Sequence, residues 1–166
     1  MAAVCMALTT HVIGRAQVGG VRADLTPVVE TDAAHGGTTV RAALQVRLPD
    51  GFHVNSNQPR DPALIPIMLS VEPPAGVTVT EIVYPDAIDL RQQGVDQPLS
   101  VFEREFAIGV RLALAGDLPA EEIAIPASLR YQACDETVCY FPVTAATGWT
   151  LRIVPAATPI AARHAI

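Results

Sequence analysis

Apolar residues of this chain recur at every second position over long stretches, and that period fixes what it can fold into. Val40, Leu44, Val46 and Leu48 alternate with Arg41, Ala43, Gln45 and Arg47. Phe106, Ile108, Val110, Leu112 and Leu114 alternate with Ala107, Gly109, Arg111 and Ala113. Ile123, Ile125, Ala127, Leu129 and Tyr131 form a third such run, and Trp149, Leu151 and Ile153 a fourth. A period of two sends one face into a core and the other into water, as half-buried antiparallel strands require. Two weaker strands are expected over residues 66–71 and 77–84.

Turn signals separate these runs. Pro49-Asp50-Gly51, Pro73-Pro74-Ala75-Gly76 and Ala115-Gly116-Asp117 each combine residues that favour tight reversals. With 14 prolines, 11 glycines and no stretch of helical period, the chain reads as many short strands. About seven such strands make an all-β, immunoglobulin-like antiparallel sandwich. Pro126 falls on the outward phase of its strand and is expected at an edge or a bulge. The sandwich is expected over residues 24–154, with residues 155–166 a flexible, Ala- and Pro-rich tail.

Residues 1–23 are a separate segment, read as an export signal or a disordered leader. Ala2, Ala3, Val4, Met6, Ala7, Leu8, Val12 and Ile13 make it apolar, and Val21-Arg22-Ala23 offers small residues where a signal peptidase would cut. No Lys or Arg precedes the apolar stretch, and His11 interrupts it. Removal of the leader would remove Cys5, leaving Cys134 and Cys139 out of three cysteines. An even, close pair in an exported protein reads as a disulfide or a redox couple. The net charge of −6, with 11 scattered basic residues, excludes a nucleic-acid footprint. No apolar run approaches the ~20 residues of a membrane-spanning helix.

The chemistry-bearing segment is Tyr131-Gln132-Ala133-Cys134-Asp135-Glu136-Thr137-Val138-Cys139-Tyr140-Phe141-Pro142. It starts at the end of a strong strand and leads into another, so the cysteines flank a hairpin-like tip. A loop this short gains only about 2 kcal/mol from cross-linking on the chain-entropy model. That is modest for a domain with its own core, which favours redox use; the alternative is a non-catalytic β-sandwich interaction module whose disulfide is a structural pin on a hairpin. Asp135 and Glu136 in the spacer disfavour a thiolate, because like charges repel. The pair is therefore expected to exchange with a partner that supplies the lowered pKa.

That segment resembles the N-terminal periplasmic domain of the thiol:disulfide interchange protein DsbD. Gly51-Phe52-His53-Val54-Asn55-Ser56-Asn57-Gln58-Pro59 is similar to another stretch of the family, and residues 97–104 resemble the part that follows its cap loop. The likeness runs over residues 25–154. It implies an immunoglobulin-like fold and a dithiol that passes reducing equivalents to periplasmic thioredoxin-like or disulfide-isomerase proteins. It implies Cys139 as the attacking sulfur, Cys134 as the resolving one, and a separate membrane electron donor, as a component of a protein-disulfide reductase. The spacer here is slightly shorter than in the best-studied form. The family's cap loop carries an aromatic residue; Arg91-Gln92-Gln93-Gly94-Val95-Asp96 has none. Val95, with Tyr131, Tyr140 and Phe141, is expected to shield the sulfurs, although the three aromatics equally suit a core or hairpin face.

No cofactor and no metal is expected. His53 lacks nearby ligand partners in sequence and is expected to pack or hydrogen-bond within its loop. Thiolate copper binding by Cys134 and Cys139 is a third alternative, with Met68 or His53 as a further ligand if the fold brings one close. Asp86, Asp89, Glu103 and Glu105 are expected to be solvated surface.

Overall fold

The computed structural model describes residues 20–92, 94 and 96–164. The leader residues 1–19, Cys5 among them, and Val95 lie outside the described residues. Every regular element among the described residues is a strand: β1 (Asp24–Val29), β2 (Ala34–His35), β3 (Thr39–Arg47), β4 (His53–Asn55), β5 (Met68–Val71), β6 (Val77–Val83), β7 (Ile88–Leu90), β8 (Leu99–Glu103), β9 (Glu105–Leu114), β10 (Glu122–Tyr131), β11 (Ala133–Cys134) and β12 (Val143–Val154). No helix among the described residues is long and apolar enough to cross a membrane.

The four long alternating runs are β3, β9, β10 and β12, and they carry the sandwich. One sheet has the order β1-β3-β9-β6 and the other β2-β12-β10-β5. Their inward residues form one core: Leu44, Val46, Ile108, Leu112, Ile125, Leu129 and Leu151 are buried together. Trp149 on β12 crosses between the sheets and donates its indole N–H to the Ala43 carbonyl on β3 at 3.0 Å. A buried indole needs such an acceptor, and here the bond ties one sheet to the other. The architecture is an immunoglobulin-like β-sandwich, built with more strands than the long periodic runs account for.

A third small sheet, β11-β4-β8-β7, positions the site. It is assembled from the chain ends of the main strands. β8 runs into β9 through Arg104, whose left-handed φ of 54° turns the chain from one sheet to the other. Its carbonyl accepts from Leu48 N–H at 2.7 Å. β10 runs into β11 through Gln132. Pro126 lies where the β5 ladder stops: β5 covers residues 127–130 of β10, while β12 pairs with β10 along its whole length. Just past that ladder Glu72 N–H donates to the Pro126 carbonyl at 2.8 Å, so the missing N–H falls at the end of the β5 pairing rather than inside it. After β12 the segment expected as a tail returns to the sandwich. Asp32 N–H donates to the Ala161 carbonyl at 3.0 Å, and Arg163 N–H to the Glu30 carbonyl at 2.7 Å.

Candidate redox site

Cys134 and Cys139 form a disulfide, with Cα atoms 4.0 Å apart. The cause is a tight hairpin. Tyr140 N–H donates to the Ala133 carbonyl at 2.9 Å, and Asp135 N–H to the Val138 carbonyl at 3.0 Å. Between these hydrogen-bonded pairs, Cys134 and Cys139 face each other across an antiparallel bridge. Directly opposed residues of this kind bring their side chains close on one face.

Asp135 shapes the turn. Its Oδ1 accepts from Thr137 N–H at 2.7 Å, Thr137 Oγ1–H at 2.8 Å and Val138 N–H at 2.8 Å. Its Oδ2 accepts from the Tyr140 hydroxyl at 3.1 Å. Backbone N–H groups of Thr137 and Val138, then the Thr137 hydroxyl, hold its pKa down at about 2. The same contact raises the Tyr140 phenol, which keeps its proton to bond the carboxylate. The spacer acid expected mainly to repel a thiolate is also the residue that closes the turn, as Asx turns do.

The two sulfur-bearing residues are not equivalent. Cys134 is 2% exposed, because β11 is backed by β4. Cys139 is exposed, on the open side of the hairpin. Both line a groove of about 610 Å³ with His53, Asn55, Leu64, Pro98 and Leu99. Gln92, from the stretch matching the cap loop, reaches over to the hairpin tip and donates to the Glu136 carbonyl at 2.9 Å.

The aromatic candidates separate. Tyr131 is 1% exposed and belongs to the sandwich core, where its hydroxyl accepts from Ala23 N–H at 2.7 Å. Tyr140 is half-buried and packs edge-on against Phe52, with ring centroids 5.7 Å apart. Phe141 is 69% exposed. Val138 beside Cys139 is also exposed, so the outer sulfur is flanked by apolar surface.

Sequence reasoning placed His53 within a loop. It lies on β4 and is 5% exposed. In register it opposes Cys134 on one side and Glu103 on the other, so Cys134, His53 and Glu103 form a row across three strands. Burial lowers the His53 pKa; Glu103 and Asp135 oppose that shift without reversing it. Glu103, expected as solvated surface, is half-buried in this row. Asn55 and Ser56 follow as buried polar residues: Asn55 Nδ2 donates to the Ile65 carbonyl, and Ser56 Oγ pairs with Ser100 Oγ at 2.9 Å. The signal available was their polarity in a strand-like segment; the register that gives it meaning is long-range. No group of three or more His, Cys, Asp or Glu suited to a metal occurs among the described residues.

Solved structures similar to the chain include the reduced N-terminal domain of DsbD from Neisseria meningitidis, at 17% identity and TM-score 0.46, covering 83% of this chain and 90% of that one. Another is the N-terminal periplasmic domain of ScsB from Proteus mirabilis, at 15% identity and TM-score 0.47, covering 77% of this chain and 47% of that one. No curated protein sequence matches the chain. The family model described as "Thiol:disulfide interchange protein DsbD, N-terminal" matches residues 23–149, the span that holds both cysteines and every sandwich strand but the end of β12, and the chain belongs to that family.

Proposed function

We propose that this domain passes reducing equivalents to partner proteins through the Cys134/Cys139 couple. The observation that carries it is the disulfide at a hairpin tip, with one cysteine exposed and the other buried beside a groove. In the reduced domain the Cys139 thiolate attacks a partner's disulfide. One partner sulfur leaves as a thiolate and takes a proton, and a mixed disulfide forms. Cys134 then attacks Cys139 Sγ, the second partner sulfur leaves, and the domain's own disulfide returns. The partner gains two electrons and the domain loses two.

Accessibility supports this division of roles, since the attacking sulfur must meet a protein partner and the resolving sulfur need only reach its neighbour. Residues 24–154 are the working unit, with Ala23 bonded onto it through Tyr131; the export leader lies within residues 1–23, and residues 155–166 are a tail that returns to the sandwich. The location is the periplasm, the partners are thioredoxin-like or disulfide-isomerase proteins, and a membrane electron donor re-reduces the pair. Tyr140, Phe141 and Val95 control access to the sulfurs.

Replacing the resolving thiol, Cys134→Ser, in the full chain traps a covalent complex with an oxidised thioredoxin-like protein through Cys139. Absence of any such complex overturns the assignment. A pair potential below about −300 mV would instead mark a permanent structural disulfide.

A further inference from the structure

Exchange leaves one proton unaccounted for by the cysteines themselves. Cys134 resolves the mixed disulfide only as a thiolate, yet it is 2% exposed and walled by β4. Bulk water has poor access to that proton. Opposed residues of an antiparallel pair carry Cβ atoms about 4.5–5.5 Å apart on one face. The residue opposed to Cys134 is His53, which lines the same groove as both cysteines. No hydrogen bond among the described residues engages its ring, and burial favours its neutral, proton-accepting form.

We propose that His53 is the proton acceptor for the resolving thiol Cys134, with Glu103 behind it supporting the charged ring. This rests on the exchange function proposed above. The Cys134 Sγ–H bond breaks and the imidazole takes the proton. The thiolate forms the Sγ–Sγ bond to Cys139, the Cys139–partner bond breaks, and the departing partner sulfur takes the proton from the imidazolium. Glu103 from β8 and Asp135 from the hairpin are the acids that favour the imidazolium. The other charged groups of the two hollows that His53 lines are Arg91, Arg104 and Glu136 in one, and Arg60, Asp61 and Asp96 in the groove that holds the cysteines. Arg60 is already held by Asp89 and the Pro98 carbonyl.

The size of the effect has a ceiling. A thiol of ordinary pKa is about 3% ionised at pH 7, so complete deprotonation speeds its attack by at most about 30-fold. The experiment mixes the reduced full-length chain with an oxidised thioredoxin-like protein and follows capture and release separately. His53→Gln is expected to capture at the wild-type rate but release the partner about 10–30-fold more slowly at pH 7, so that the mixed disulfide accumulates. Its release rate rises about tenfold per pH unit through neutrality, whereas the wild-type rate is flatter. In His53→Ala, added imidazole restores release within the same folded protein. Normal capture with wild-type release in both variants overturns the role of His53. Failure of the wild-type chain and Cys134→Ser to capture at all overturns the exchange function beneath it.

Discussion

Tyr131 ends the strand that leads to the redox hairpin, and its replacement by Phe separates a core role from a shielding one. The ring is 1% exposed within the sandwich core, and its hydroxyl accepts from Ala23 N–H at 2.7 Å. Tyr131→Phe keeps the ring and its packing but removes that acceptor. The Ala23 N–H is then left half-buried without its partner, which costs about 1–1.5 kcal/mol. For a chain of 166 residues, where each kcal/mol moves the midpoint by about 2–4 °C, the melting temperature falls by about 2–6 °C. Thermal unfolding of the oxidised full chain measures this, and the rate of partner capture by the reduced chain is measured in parallel. A stability loss with unchanged capture is the expected pair of results. Faster capture with unchanged stability would show that the ring guards the sulfurs and that the assignment to the core misplaces its function.

Trp149→Phe removes the indole that bonds Ala43 across the two sheets and leaves a gap in a closed core; denaturant unfolding should register a loss of about 2–3 kcal/mol, and a loss under ~0.5 would mean the sheets are not joined there. The Asp135 carboxyl titrates at about 2, below its ordinary 3.8, so it stays charged and bonded above pH 4 and releases the turn only as pH falls through about 2. NMR of the carboxyl, with the Thr137 and Val138 amides shifting along with it, checks this; a midpoint near 4 refutes the bonded turn.

The long strands were legible because each repeats its apolar phase enough times to exclude a helix. Short strands have no such repetition. β4, β7 and β11 hold two or three residues each, too few for a period to show. They exist because partners far along the chain complete their ladders, and that is why a third sheet was not foreseen. β1 was hidden differently: Pro27 breaks its pattern, yet a proline is admissible there because β1 lies at the edge of its sheet. The cysteine pair was legible in spacing and context. The row of Cys134, His53 and Glu103 was not, since it depends on the register of β4 against both β11 and β8.

The two cysteines share one hairpin but not one environment, and that difference organises the chemistry. Local sequence surrounds both with the same short spacer. The fold then covers Cys134 with β4 and leaves Cys139 beside exposed Val138 and Phe141. Among the described residues neither gains an obvious activating cation: Arg60, the arginine in their groove, is engaged by Asp89. The Asp135 carboxylate, its pKa held down at about 2 by the N–H groups of Thr137 and Val138, stays charged across the physiological range. A thiol with a carboxylate nearby and no free cation beside it is not activated by its surroundings for attack on disulfides at large. Its rate rises with partners whose own sulfur leaves easily, because a leaving thiol of low pKa departs faster. On the exchange function proposed above, selectivity would reside in the pairing of an unactivated, apolar-flanked Cys139 with an activated partner, and the buried Cys134 would set how long the mixed disulfide lives.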